Sequence, residues 1–346
     1  MIGLFTLAWG RPHRPILAAA WGVGMLAAFA AIATLRTAPW QNVRYLQPFL
    51  PLFLLAVVLG VHALAAMTAQ RHTRRIVCHG GLTVALLFSL TMLPTWGVRL
   101  GEEAATIRDG PVSIAHWLKT NIPAGASIGV NDVGATAYFS GHRIVDLMGL
   151  TTNGMAEATN SGPGSMYEAL RHMPPGQRPD YFSLYDSWPG PPMHALADAD
   201  VLTTALITFR LATPVRPEPG LETVCESDQS CPQVSVYWAN WNLADTGDRP
   251  PAGLPGTQRD YLNVGDLTDE TRHAYHIDNA HLGLEPKTML RTVTYPTGPR
   301  VADSGRHIIG GESFTATNLT PGVALNIESR TDPTPERPPR SRQLQV

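Results

Sequence analysis

Asp132 and Asp146 both lie in the stretch NDVGATAYFSGHRIVDLMGL, residues 131–150, and they open the question of chemistry. Two carboxylates held roughly 5–10 Å apart can act as general acid and general base on a glycosidic bond. Each also has a structural reading, which the local pattern favours. Asn131 or Asp132 stands where an N-cap would start a short helix through GATAYFS, and Asp146 can be held by Arg143 or by a nearby backbone amide. The segment HAYHIDNAH carries His273, His276 and His281, with Glu270 and Asp278 close by. Imidazole and carboxylate are zinc ligands, but this spacing matches no common zinc site, and a solvated loop is the simpler reading. SGPGS, residues 161–165, has the composition of an anion-binding turn before a helix, although a plain helix start explains it as well. The signatures of phosphate loops, zinc proteases, hydrolase elbows and redox dithiols are missing. No catalytic residue, metal or cofactor is therefore expected.

The elements that must position these residues divide sharply by composition. The chain has 346 residues, 44% hydrophobic and 16% charged, but its apolar excess lies before position 100. Three runs, 16–35, 49–67 and 76–96, are each long enough to cross a hydrocarbon core of about 30 Å and predict three transmembrane helices. Arg11, Arg14, Arg71, Arg74 and Arg75 fall on one side of these spans, and Arg36, Arg44 and Arg99 on the other. The positive-inside rule makes the first side cytoplasmic, so everything after Trp96 is expected outside, as in a bacterial inner-membrane protein. In that oxidising compartment Cys225 and Cys231, which bracket CESDQSC, are expected to form a disulfide. A net charge of -2 without a basic run argues against nucleic acid as a partner.

The exported part, residues 101–247, reads as a mixed α/β domain. SIAHWLKTNI is helical, SIGV and RIVDLMG are strands around the GATAYFS helix, and a helix over 165–173 precedes the strand DYFSLY. VLTTALITFRL and QVSVYW supply further strands. A Pro/Gly linker, residues 248–258, leads to a β-rich, sandwich-like module over 259–330, built from MLRTVTY, RHIIGG, ESFTAT and VALNIES. The proline-rich residues 331–346 are expected to be disordered. NLT, residues 318–320, is a glycosylation sequon that matters only in a eukaryotic secretory pathway.

Near the membrane, APWQNVRYLQPFLPLF places Arg44 and Tyr45 just before an apolar helix, where a guanidinium can meet a lipid phosphate or serve as an interfacial anchor. The order of RYLQPFLPLFLL, one more span, and then IAHWLKTNIPAGASIGVNDVGATAYFSGHRIVDLMGL resembles the C-terminal part of bacterial GT-C membrane glycosyltransferases. Relatives of that superfamily include aminoarabinose transferases and protein O-mannosyltransferases. The resemblance implies an exported accessory domain, a polyprenyl-phosphate sugar as donor and a role in cell-envelope glycan assembly. It also implies that the catalytic half, whose acid lies in the first outward loop, is not in this chain, because residues 37–48 hold no Asp or Glu. The expectation is thus an inactive part of a glycosyltransferase, with Arg44 and Tyr45 as lipid-phosphate contacts. The alternative is a membrane-anchored carbohydrate-binding or assembly partner of a complete transferase.

Overall fold

Long apolar stretches free of turn signals become helix, and the first part of the chain is built from them. In the computed structural model the described residues are 14–35, 44–174, 176–185, 194–211, 233–248, 256–278, 287–294, 300–308 and 311–330. They form two compact units, the first within residues 1–105 and the second from residue 106 onward.

In the first unit, α1 covers Arg14–Ala33. A 3-10 turn over Arg44–Phe49 runs into α2, Leu50–Ala66, and α3 covers Arg71–Ile107. Pro51 sits in the first turn of α2, where a missing amide hydrogen costs nothing, and Pro48 lies inside the 3-10 turn before it. Two helical stretches, Arg44–Ala66 and the one beginning at Arg71, are long and apolar enough to cross a membrane; the described apolar part of α1, Ala19–Ala33, is shorter. The helix beginning at Arg71 also runs well past the expected end of its span at Trp96, through the good helix formers EEAA at 102–105, to a π-type turn over Arg108–Val112 that holds Gly110 and Pro111. Gly81 lets α3 approach α2 closely, since a Cβ there would stand 2.9 Å from Val61 Cγ1. Phe29 and Phe53 pair at 5.4 Å between centroids.

The second unit has a five-stranded sheet of order β2-β1-β3-β5-β4. Its strands are β1 (Ser127–Val130), β2 (Arg143–Asp146), β3 (Tyr181–Tyr185), β4 (Leu202–Arg210) and β5 (Gln233–Ala239). β1 is parallel to both β2 and β3, and β5 is antiparallel to β3 and β4. Side chains alternate along each strand, so each face of the sheet needs a cover. On one face α4 (Ser113–Asn121) buries Ile114 and Leu118, with Ile122 just after it, against Ile128, Val130, Val234 and Val236. On the other face α6 (Met155–Ser161) and α7 (Pro163–Arg171) place Met155, Met166, Tyr167 and Leu170 against Val145, Phe182 and Leu184. Gly129 is needed at the centre, because a Cβ there would stand 2.6 Å from the Phe182 ring. The short α5, Gly134–Ser140, links β1 to β2, and α8, His194–Asp198, precedes β4.

The expected sandwich is replaced by two small two-stranded sheets. β7 (Thr288–Thr294) pairs with β8 (Arg300–Arg306), and β6 (His276–Asp278) pairs with β9 (Gly311–Ser313). A short helix α9, Leu267–Arg272, stands before β6. VALNIES forms no strand, and the strand expected at RHIIGG lies just before it. The β7–β8 hairpin finds its cover on helix α7, contributing Leu290 and Ala302 to the same core. The closeness of that packing shows at Gly162 and Gly164, where a Cβ would stand 2.4 Å from the Thr288 carbonyl oxygen and 2.5 Å from that of Met289.

Candidate functional site

The strand order creates one place where a ligand site is expected from topology alone. From β1 the chain moves to β2 on one side, then crosses back to β3 on the other, so the strand order reverses between β1 and β3. In open parallel sheets, the crevice beyond the carboxyl ends of the two strands flanking such a reversal is where ligands bind. Here those ends are occupied by Asn131, Asp132 and Tyr185, with Asp146 at the end of β2.

The two aspartates have different roles. Asp146 is fully buried, and its carboxylate accepts hydrogen bonds from the Met148 amide (2.9 Å), the Thr151 amide (2.8 Å) and the Thr151 hydroxyl (3.2 Å). Asp146 therefore shapes the turn after β2 through backbone amides, while Arg143 instead donates to the Gly176 carbonyl. Removing the carboxylate in Asp146→Ala strands the two amides and is expected to cost about 2–4 kcal/mol, read as a lowered unfolding midpoint of the intact protein. A change below 1 kcal/mol would contradict this role.

Asp132 is half-buried. Burial pushes its carboxyl above the usual range, opposed by the Tyr185 hydroxyl and the Gly134 amide and assisted by the nearby Asp146. The N-cap position of α5 is Val133, and Asp132 serves the helix start only through its contact with Gly134. The Tyr185 hydroxyl reaches Asp132 Oδ2 at 3.5 Å, and burial raises the phenol's pKa as well. Asn131 is 3% exposed; its Oδ1 accepts from the Tyr185 amide at 3.2 Å, while its Nδ2 has no hydrogen-bond partner among the described residues. Sequence reasoning weighed Asn131 only as a cap and missed Tyr185, because nothing local announces that β3 ends beside β1.

The other candidates resolve differently. Arg44 and Tyr45 do come together: the guanidinium donates to the Tyr45 hydroxyl at 3.1 Å and lies 5.0 Å from the ring centroid. Cys225 and Cys231 lie outside the described residues, as do His281 and the tail 331–346. His276 is exposed on β6, whereas His273 is buried and hydrogen-bonded to Asp260 and to the Asp269 carbonyl. Glu270 forms an ion pair with Arg306 at 2.7 Å. The histidine segment is thus divided between a surface strand and a packed interior.

SGPGS is a helix start whose Ser165 amide is already used, donating to Thr288 Oγ1 at 2.9 Å. Behind it lies a buried network. Arg171 bonds Glu168 (2.6 Å) and Asp248 (2.5 Å), and donates to the Ala244 carbonyl. Glu168 also accepts from Asn263 and Ser304. Burial opposes the charge on Arg171, but the bonds to Asp248 and Glu168 outweigh it and raise its pKa. Glu168, His172 and Asp266 each offer one ligand atom within 4.8 Å of the others. The Arg171 guanidinium already neutralises Glu168 and saturates its inner oxygen, so this trio reads as part of the ion-pair network rather than as a cation site.

His273 and Asp260 give a pH prediction. Burial opposes both charges, but the Thr317 amide, His273 and Tyr261 hold the Asp260 carboxyl down at about 2, and Asp269 and Asp260 raise the His273 pKa. The carboxylate's stabilisation is complete above about pH 4 and lost as pH falls towards 2. That of the imidazolium is complete below about 6.5 and lost as pH rises through its raised pKa. Stability from the pair should peak between about pH 4 and 6.5, and Asp260→Asn should flatten the acid side of the profile. An unchanged acid side would contradict the assignment.

Residues 99–250 match the family model of a domain of unknown function, DUF8728. That span contains all five strands of the main sheet and the helices on its two faces, and stops before the β7–β8 hairpin. No curated protein and no solved structure matches the chain.

Proposed function

We propose that the chain is a membrane-anchored protein of the bacterial cell envelope, with three spans and its α/β unit on the outer face. In this reading it corresponds to the C-terminal, non-catalytic part of a GT-C-type glycosyltransferase. The observation that carries the membrane part is the surface of α2 and α3. Leu54, Val84 and Phe88 are more than half exposed, and α3 buries none of its side chains. Each such side chain left in water forgoes about 1.5–3 kcal/mol, a cost that a bilayer removes. The glycosyltransferase part is supported by the order of elements, apolar helices followed by a strand-helix-strand unit, and by the Arg44–Tyr45 pair, whose guanidinium suits a polyprenyl-phosphate or lipid phosphate.

Topology is tested by adding protease to intact spheroplasts. Degradation of the α/β unit without permeabilisation is expected, and survival until the membrane is opened would overturn the orientation. Activity is tested with the purified chain and a polyprenyl-phosphate sugar: no transfer is expected from the chain alone, and any transfer would sink the non-catalytic assignment.

A further inference from the structure

We propose that the crevice at the carboxyl ends of β1 and β3 binds a neutral polyhydroxyl group, with Asn131 donating to one ligand hydroxyl and Asp132 accepting from another. The argument begins with the unpaired donor. Asn131 is 97% buried, and the bond from the Tyr185 amide fixes which end of its side-chain amide is oxygen. The remaining Nδ2 is buried and lacks a partner among the described residues. An unsatisfied buried donor costs about 1–3 kcal/mol, so it is retained where something else satisfies it. The position is independently the one that sheet topology marks for ligands.

The chemistry of the surroundings selects the ligand class. Asp132 and Asp146 make the field negative, and the segments 131–134, 147–154 and Tyr185 contribute no Arg or Lys among the described residues. A phosphate or carboxylate would meet like charge without a counter-cation. A cation would meet the N–H group of Asn131. A neutral ligand whose adjacent groups both donate and accept satisfies both sides, and a pair of hydroxyls does so. Tyr185, at 3.5 Å from Asp132, is close enough to orient the carboxylate and leaves it room to accept from a ligand hydroxyl as well. This goes beyond the membrane reading and survives its failure, because binding and topology are read separately.

The test uses the full chain in phosphatidylcholine nanodiscs and saturation-transfer NMR with the methyl glycosides of mannose, galactose, glucose and arabinose. Transfer to at least one glycoside is expected. Asn131→Asp keeps the acceptor for the Tyr185 amide but removes the donor, and should weaken binding about fivefold, one hydrogen bond's worth. Tyr185→Phe keeps the ring and decides the matter if the first variant does not fold; it should weaken binding by a smaller factor at an unchanged unfolding midpoint. The proposal is overturned if no glycoside receives saturation, if inorganic phosphate displaces a bound glycoside, or if folded variants bind like the original.

Discussion

Arg171→Met is expected to destabilise the α/β unit by about 3–5 kcal/mol, the largest effect of any single side chain here. Its guanidinium is 1% exposed and satisfies Glu168, Asp248 and the Ala244 carbonyl at once. Truncation leaves the Glu168 carboxylate, itself 2% exposed, charged and without its counter-ion. Much of the cost is that stranded charge, so adding Glu168→Leu to Arg171→Met should restore part of the stability even though a further polar group is lost. Denaturant midpoints of the intact protein measure both. A single variant within 1 kcal/mol of the original would show that the network is incidental, and a double variant worse than the sum would show that Glu168 matters chiefly through Asn263 and Ser304.

Gly162→Ala should have a comparable effect by another route. Gly162 adopts φ +127°, a region that side chains avoid, and its added Cβ would stand 2.4 Å from the Thr288 carbonyl oxygen. Backbone strain and the clash act together, for an expected loss of about 3 kcal/mol or more. The β7–β8 hairpin must move away from α7, uncovering Leu290. Gly134→Ala is the matched control, since nothing lies within 4 Å of its Cβ position. Hydrogen exchange across 288–306 should rise in the first variant and remain unchanged in the second; equal behaviour would refute the close-packing argument.

Local pattern was sufficient for elements and insufficient for their meeting points. SIGV, GATAYFS and QVSVYW became the expected strands and helix because alternation and turn residues act over a few positions. Asp146 was readable as a structural acid, since the turn it organises lies within six residues. The crevice was not readable, because Asn131 and Tyr185 are 54 residues apart and only the strand order joins them. Of the β-rich module expected after residue 259, the small sheets were legible and their packing was not. β-rich composition predicts strands but not what covers them, and here a helix more than a hundred residues earlier does so.

The network around Glu168 also sets when this unit can become stable. Its partners arrive late: Asn263 is 95 residues on and Ser304 is 136, while the Ser165 amide waits 123 residues for Thr288. Closing such long loops is slow, and the reward comes only after the last segment docks. As the chain emerges amino end first, Glu168 and Arg171 are made well before the hairpin that seals them in. On that order of synthesis α7 is expected to wait uncovered until residues 288–306 have been made.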